Sequence, residues 1–133
     1  SGAITLAAGT YQFECVFSLS SMSATSGSFG FALGGTATFT QAWHSSAVKT
    51  TALATAAASS VTQNTAANTA IVAANTSTLG YAVINGIIRV TAAGTIIPQV
   101  SLGVAAAAIV GASSYFKISP LGAAALTTVG NWS

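Results

Sequence analysis

Aspartate is absent from the 133 residues, and glutamate occurs once, as Glu14. With Lys49, Arg89 and Lys117 it completes the ionic inventory, 3% of the chain, where an average soluble domain carries about a quarter. One histidine, His44, and one cysteine, Cys15, are equally solitary. These scarcities exclude whole classes of chemistry. A Ser-His-Asp triad lacks its aspartate, and only Glu14 is left to orient His44. Glycoside cleavage needs two carboxylates. Zinc needs three or four ligands, and the chain offers Cys15, His44 and Glu14. No glycine-rich phosphate loop ends in Lys-Ser or Lys-Thr. The reading is a non-enzyme without a cofactor.

Other absences bound the class. A lone cysteine forms no intrachain disulfide and leaves the redox compartment open. Three scattered cations, net charge +2, make no basic patch, so the pI of 9.0 carries no nucleic-acid signal. No run of 18 apolar residues occurs, and the stretch from Gly103 to Ala112 is short, alanine-heavy and bounded by serines, so no spanning helix is expected. No Lys/Arg-flanked apolar segment marks a signal peptide. The opening Ser1-Gly2, without methionine, reads as a piece excised from something longer.

What is there is apolar and small. Hydrophobic residues make up 52% of the chain and the mean hydropathy is +0.72. Alanine, serine, threonine and glycine together exceed half of the residues. Low charge with this much apolar surface argues for a packed core and against disorder. The length fits one domain spanning 1–133. A surface of Ser, Thr and Ala in place of Lys and Glu is soluble when partners cover it, so an oligomer is expected.

The pattern is that of short strands between turn signals. Tyr11, Phe13, Cys15, Phe17 and Leu19 alternate with Gln12, Glu14, Val16 and Ser18, the period of a half-buried strand. A Ser/Gly-rich loop follows, then a strand over 29–33, a hairpin turn at Gly34-Gly35 and a strand over 36–43. In that last strand Ala37, Phe39 and Gln41 share one face, and Thr36, Thr38 and Thr40 the other. Residues 50–78 are an uncharged Ala/Thr/Ser/Asn tract, read as two weak strands and long loops. Further strands are expected at 81–91, bulged or turned at Asn85-Gly86, at 94–102, with Pro98 at an edge or bulge, and at 115–121. About eight strands and no convincing helix make an all-β antiparallel sandwich or barrel. Its edges have almost no charge to protect them, which leaves a partner as the remaining device.

Three phrases, AAGTYQFECVFSL (7–19), TAAGTIIPQVSLG (91–103) and SYFKISPLG (114–122), resemble strand motifs of tailed-phage virion proteins. Those proteins carry a trimeric jelly roll like the globular head of complement and tumour necrosis factor-like domains. The resemblance covers both ends of the chain but not residues 50–80. It implies an antiparallel jelly-roll sandwich of about eight strands, a homotrimer, and a post at the virion surface. Tail-fibre tips, head fibres and capsid decoration proteins use such domains. The implied partners are further copies of the chain, other virion proteins and a host surface glycan. Two rivals share parts of the composition. An ice-binding protein would repeat the Thr-x-Thr spacing of Thr36, Thr38 and Thr40 in coil after coil. An outer-membrane barrel would show strands of about ten residues with aromatic girdles.

Few residues are candidates for a site. In a trimer three copies of His44 would meet on the axis around a metal; otherwise His44 is a strand-end histidine bonded to loop backbone or water. Cys15 reads as an inert core thiol. Trp43 and Trp132 are candidates for a partner or glycan platform, or for a plug at a barrel end. Glu14 pairs with Arg89, Lys49 or Lys117 to set register or join subunits, or stays solvated. Tyr115, Lys117 and Ser119 share one face of the last strand, and Phe116 and Ile118 share the core face.

Overall fold

The computed structural model describes residues 2–21, 28–50, 58–64, 71–74, 80–102 and 109–125. These form β1 (Ile4–Leu6), β2 (Gly9–Ser20), β3 (Ser28–Gly35), β4 (Thr38–Thr50) and β5 (Ala58–Asn64). They continue with β6 (Ile71–Ala74), β7 (Gly80–Ala92), β8 (Gly94–Leu102), β9 (Ile109–Val110) and β10 (Tyr115–Gly122). The chain is all-β in antiparallel sheets. Among the described residues no helix is long and apolar enough to cross a membrane.

One sheet has the order β1-β8-β3-β6 and the other β10-β2-β7-β4-β5, with β9 extending the β10 edge of β2. The pairing follows a simple rule. β1 pairs with β8, β2 with β7, β3 with β6 and β4 with β5, as in one long hairpin. That hairpin is then wrapped so that β3 meets β8 and β4 meets β7. Where β9 gives way to β10 the edge is kept closed. Gly111 N–H donates to Ser18 O at 2.8 Å, and Ser114 Oγ accepts from Ser18 N–H at 3.0 Å.

The core lies between the sheets. From the larger sheet come the inward series Phe13, Cys15, Phe17 and Leu19 of β2 and Ala82, Ile84, Ile88 and Val90 of β7. From the smaller come Phe31 and Leu33 of β3, Ile96 of β8 and Leu6 of β1. The rings of Phe13 and Phe31 stack across the gap with centroids 6.2 Å apart, and Phe17 lies 6.0 Å from Phe31. Full burial of such a side chain is worth about 1.5–3 kcal/mol, so the alternation in β2 is what drives it onto the facing sheet. Phe13, Phe17, Phe31 and Phe39 point inward, whereas Trp43 and Tyr115 are exposed on the outward side with Gln12.

Three local expectations change. Gly34-Gly35 closes no hairpin: β3 and β4 lie in different sheets, and the chain crosses between them at Thr36-Ala37. Gly35 takes φ 116°, and a Cβ there would stand 2.1 Å from Thr95 O. The crossing is stitched to the start of β8, because Thr36 N–H and Ala37 N–H both donate to Thr95 O at 3.0 Å. Secondly, Asn85-Gly86 is no turn. β7 runs in unbroken register with β2, Gly86 opposite Phe13, and a Cβ at Gly86 would meet Trp43 O at 2.3 Å and Phe13 Cε1 at 2.7 Å. The glycine makes room for the stacked rings. Thirdly, β4 is not one regular strand. Phe39 faces Val90 and Gln41 faces Arg89, so Thr40 is an extra residue bulged out of the ladder. Beyond it the facing alternation is inverted. The Thr36, Thr38, Thr40 series therefore never becomes a straight ladder.

Two other expectations match the described strands. β5 and β6 fall within the tract read as two weak strands. Pro98 pairs with Leu33, while β1 on its other side has already ended at the Ile4–Ile96 pair, so the imino acid sits at a local edge.

Candidate binding face

The inverted alternation in β4 decides what happens to the two residues singled out there. With Phe39 and Ala42 both inward, His44 is carried inward and Trp43 outward. His44 is only 4% exposed. Its ring stands edge-on to Phe31 at 5.8 Å and to Phe13 at 6.3 Å. Nδ1 is enclosed and makes no hydrogen bond among the described residues. Burial holds the imidazole below its usual pKa of 6.5, so the neutral form is the native one. An imidazole enclosed between its own two sheets does not reach copies of itself on an axis, and it does not line a binding surface. The enclosure argues against both expectations for His44, and the residue sits in the body of β4 and not at a strand end. Among the described residues no three of His, Cys, Asp or Glu come together.

Cys15 is fully buried, and its thiol is pushed up to about 12, first by desolvation and then by the neighbouring Glu14 charge. It is a core side chain, far from the thiolate character that reactivity requires. Glu14 faces the opposite side of the same strand, so Glu14 and His44 lie on opposite faces of the sheet and form no acid-base pair.

The outward face of the larger sheet gathers the polar functional groups. In the β2 register Glu14 lies between Asn85 of β7 and Lys117 of β10. Arg89 lies four positions away along β2, opposite Thr10, and donates from Nε and Nη2 to Thr40 Oγ1 at 3.1 and 2.9 Å. The register thus sets Lys117, not Arg89, beside Glu14. Tyr115 Oη–H donates to the Glu14 carboxylate from the diagonal position on β10. Gln12, Glu14, Lys117 and Ser119 border a depression of about 90 Å³, with Phe13 beneath. One row further, Ser119, Gln12, Ile87 and Trp43 line up across β10, β2, β7 and β4. Trp43 is 45% exposed and Ile87 44%. Lys49 stands opposite Tyr81 on β4 of the same sheet. Trp132 lies outside the described residues.

The other sheet differs. Its four strands carry no charged residue at all. Its outward positions include Thr5, Ala32, Thr95, Ile97 and Gln99, and the Gln99 amide folds down over Gly34, where a Cβ would approach it to 2.6 Å. The result is an uncharged surface over the described strands. A second, larger crevice of about 430 Å³ opens where the sheets splay, lined by Ile4, Phe17, Pro98 and Phe116 among others.

Comparison with protein-family models, with curated proteins and with solved structures finds no match to this chain.

Proposed function

We propose that the chain is a non-enzymatic surface module of a phage virion, a jelly roll that works as a homotrimer for structure and attachment. The observation that carries the assembly half is the segregation of charge. All four charged residues of the chain lie on strands of the larger sheet, and none lies on the smaller. An ion taken into an interface loses its hydration, at an effective penalty of several kcal/mol. A face of uncharged side chains avoids that penalty. The smaller sheet is the face such an assembly would bury.

Two further observations support the reading. The nested pairing, first strand with eighth and inward to fourth with fifth, supports the jelly-roll reading, because a wrapped double Greek key pairs its strands in this order. The three phrases that resemble virion proteins coincide with β2, β8 and β10, all of them main strands of the sandwich. The virion context and the surface location rest on that resemblance; decoration, head-fibre and fibre-tip roles share it. Among the described residues the one carboxylate and the histidine lie on opposite faces of the sheet, which supports a non-enzymatic role. The test is native mass by multi-angle light scattering: three chains per particle are expected, and a stable monomer at micromolar concentration overturns the assembly.

A further inference from the structure

We propose that the outward face of the larger sheet binds an oligosaccharide, stacked on Trp43 and held through Gln12, Glu14, Lys117 and Ser119. This deepens the attachment half of the reading above and rests on it. Trp43 is not a loop residue free to fold away. It sits in the body of β4, between β5 and β7, and its neighbour across the pair is the equally exposed Ile87. A half-exposed indole on a sheet strand leaves apolar surface in water, and the C–H face of a sugar ring matches it.

The polar partners stand at the right reach. From Trp43 the row crosses Ile87 to Gln12 and Ser119. Strands lie about 4.8 Å apart, so Gln12 is about 10 Å from the platform and Ser119 about 14 Å, a span of two or three linked sugar rings. The adjacent row offers Ser45, Asn85, Glu14 and Lys117. A sugar hydroxyl both donates and accepts. Here it meets amides that do both, a carboxylate that accepts and an ammonium that donates. The Glu14 carboxylate is already oriented by the Tyr115 hydroxyl, which leaves lone pairs for a ligand at little ordering cost.

The shape selects the ligand class. A depression of about 90 Å³ is well under the 300–1,000 Å³ or so of an enclosing small-molecule pocket. It admits one substituent of a chain lying along the surface. Nucleic acid would demand clustered cations, and the described face sets Glu14 between its neighbours. Each such contact is weak alone, and repetition over an assembly multiplies it by about 10²–10⁴.

The experiment uses W132F, in which Trp43 is the sole tryptophan, titrated with neutral di- to tetrasaccharides of glucose, galactose and N-acetylglucosamine. A saturable change in Trp43 fluorescence with at least one series is expected. By isothermal titration calorimetry, which needs no fluorophore, W43A abolishes binding, W43F retains part of it, and E14Q and Q12A each weaken it by roughly five- to tenfold. The same shift in E14Q, Q12A and the parent overturns the polar subsite, and no response to any series overturns the proposal. Light scattering on the same samples separates the two readings. A monomer that titrates with sugar removes the assembly and keeps this site. An oligomer that titrates with none keeps the assembly and removes the site. Dissociation of the oligomer by W43A shows the face to be a contact between copies, which also overturns it.

Discussion

The two outward faces of the sandwich are made from one chain and share one core, yet they are chemically unlike. The larger sheet exposes Trp43 and Ile87 among Gln12, Glu14, Asn85, Arg89 and Lys117. The smaller exposes Thr5, Thr95 and Gln99 and carries no ion. All four charged residues lie on strands of the larger sheet. Their confinement separates a face suited to being covered by like copies from a face suited to polar recognition. Between the faces lies the aromatic layer of Phe13, Phe31 and His44, which sets which residues point each way.

The largest effect is expected from opening that shared layer. A side chain at Gly86 collides with the main chain of Trp43, so Gly86→Val should destabilise by more than about 3 kcal/mol. Urea denaturation measures it; a loss under 1 kcal/mol or so would show that the layer yields and the faces are not rigidly set.

Next comes the introduction of a charge on one face and its removal from the other. Gln99→Lys introduces an ammonium on the uncharged sheet and should convert the oligomer to single chains, whereas Lys117→Gln on the other face should leave the mass unchanged. Equal responses of the two variants in sedimentation would erase the distinction between the faces.

A smaller effect follows from His44. Because burial lowers its pKa below 6.5, the unfolded chain takes up the proton first as the solution is acidified. Stability is therefore complete above about pH 6.5 and falls below it, by no more than about 1.4 kcal/mol per pH unit for one proton. His44→Phe should flatten this slope between pH 6.5 and 5, and thermal melts across that range would expose an unchanged slope. The smallest effect belongs to the bulge. Thr40→Ala removes the acceptor of the Arg89 guanidinium and should cost about 0.5–1.5 kcal/mol, leaving Trp43 exposed as judged by acrylamide quenching.

Much of this architecture was legible in the residues. The strict alternation of Tyr11 to Leu19 announced β2 and its inward face, because a period of two has no other regular explanation. Phe116 and Ile118 were legible as the core side of β10 for the same reason, and they pack half-buried against the core. Glu14 and Lys117 were legible as candidates because ions are so rare here, although their adjacency was not. Position opposite one another depends on register, and β2 and β10 are separated by some hundred residues of chain.

The expectations that changed, at His44, Gly34-Gly35 and Asn85-Gly86, all turn on pairing between distant segments. Period-two counting from Phe39 would have turned Trp43 inward and His44 outward, the reverse of the structure. A single bulged residue inverts every facing beyond it, and nothing local in Thr38-Phe39-Thr40-Gln41 announces it. Gly34-Gly35 and Asn85-Gly86 carry the composition of hairpin turns. What the glycines serve instead is a crossing against Thr95 and a close approach to Phe13, both of them long-range contacts.

By itself, then, the amino-acid sequence determined the strand-forming character, the inward series of β2 and β10, and the poverty of ions. These depend on side-chain type and spacing within one segment. Only the tertiary structure decided that the ions collect on one sheet, that Lys117 and not Arg89 stands beside Glu14, and that Trp43 is presented while His44 is enclosed. Those outcomes depend on pairing and on one bulge, and pairing energy is shared between segments far apart in the chain.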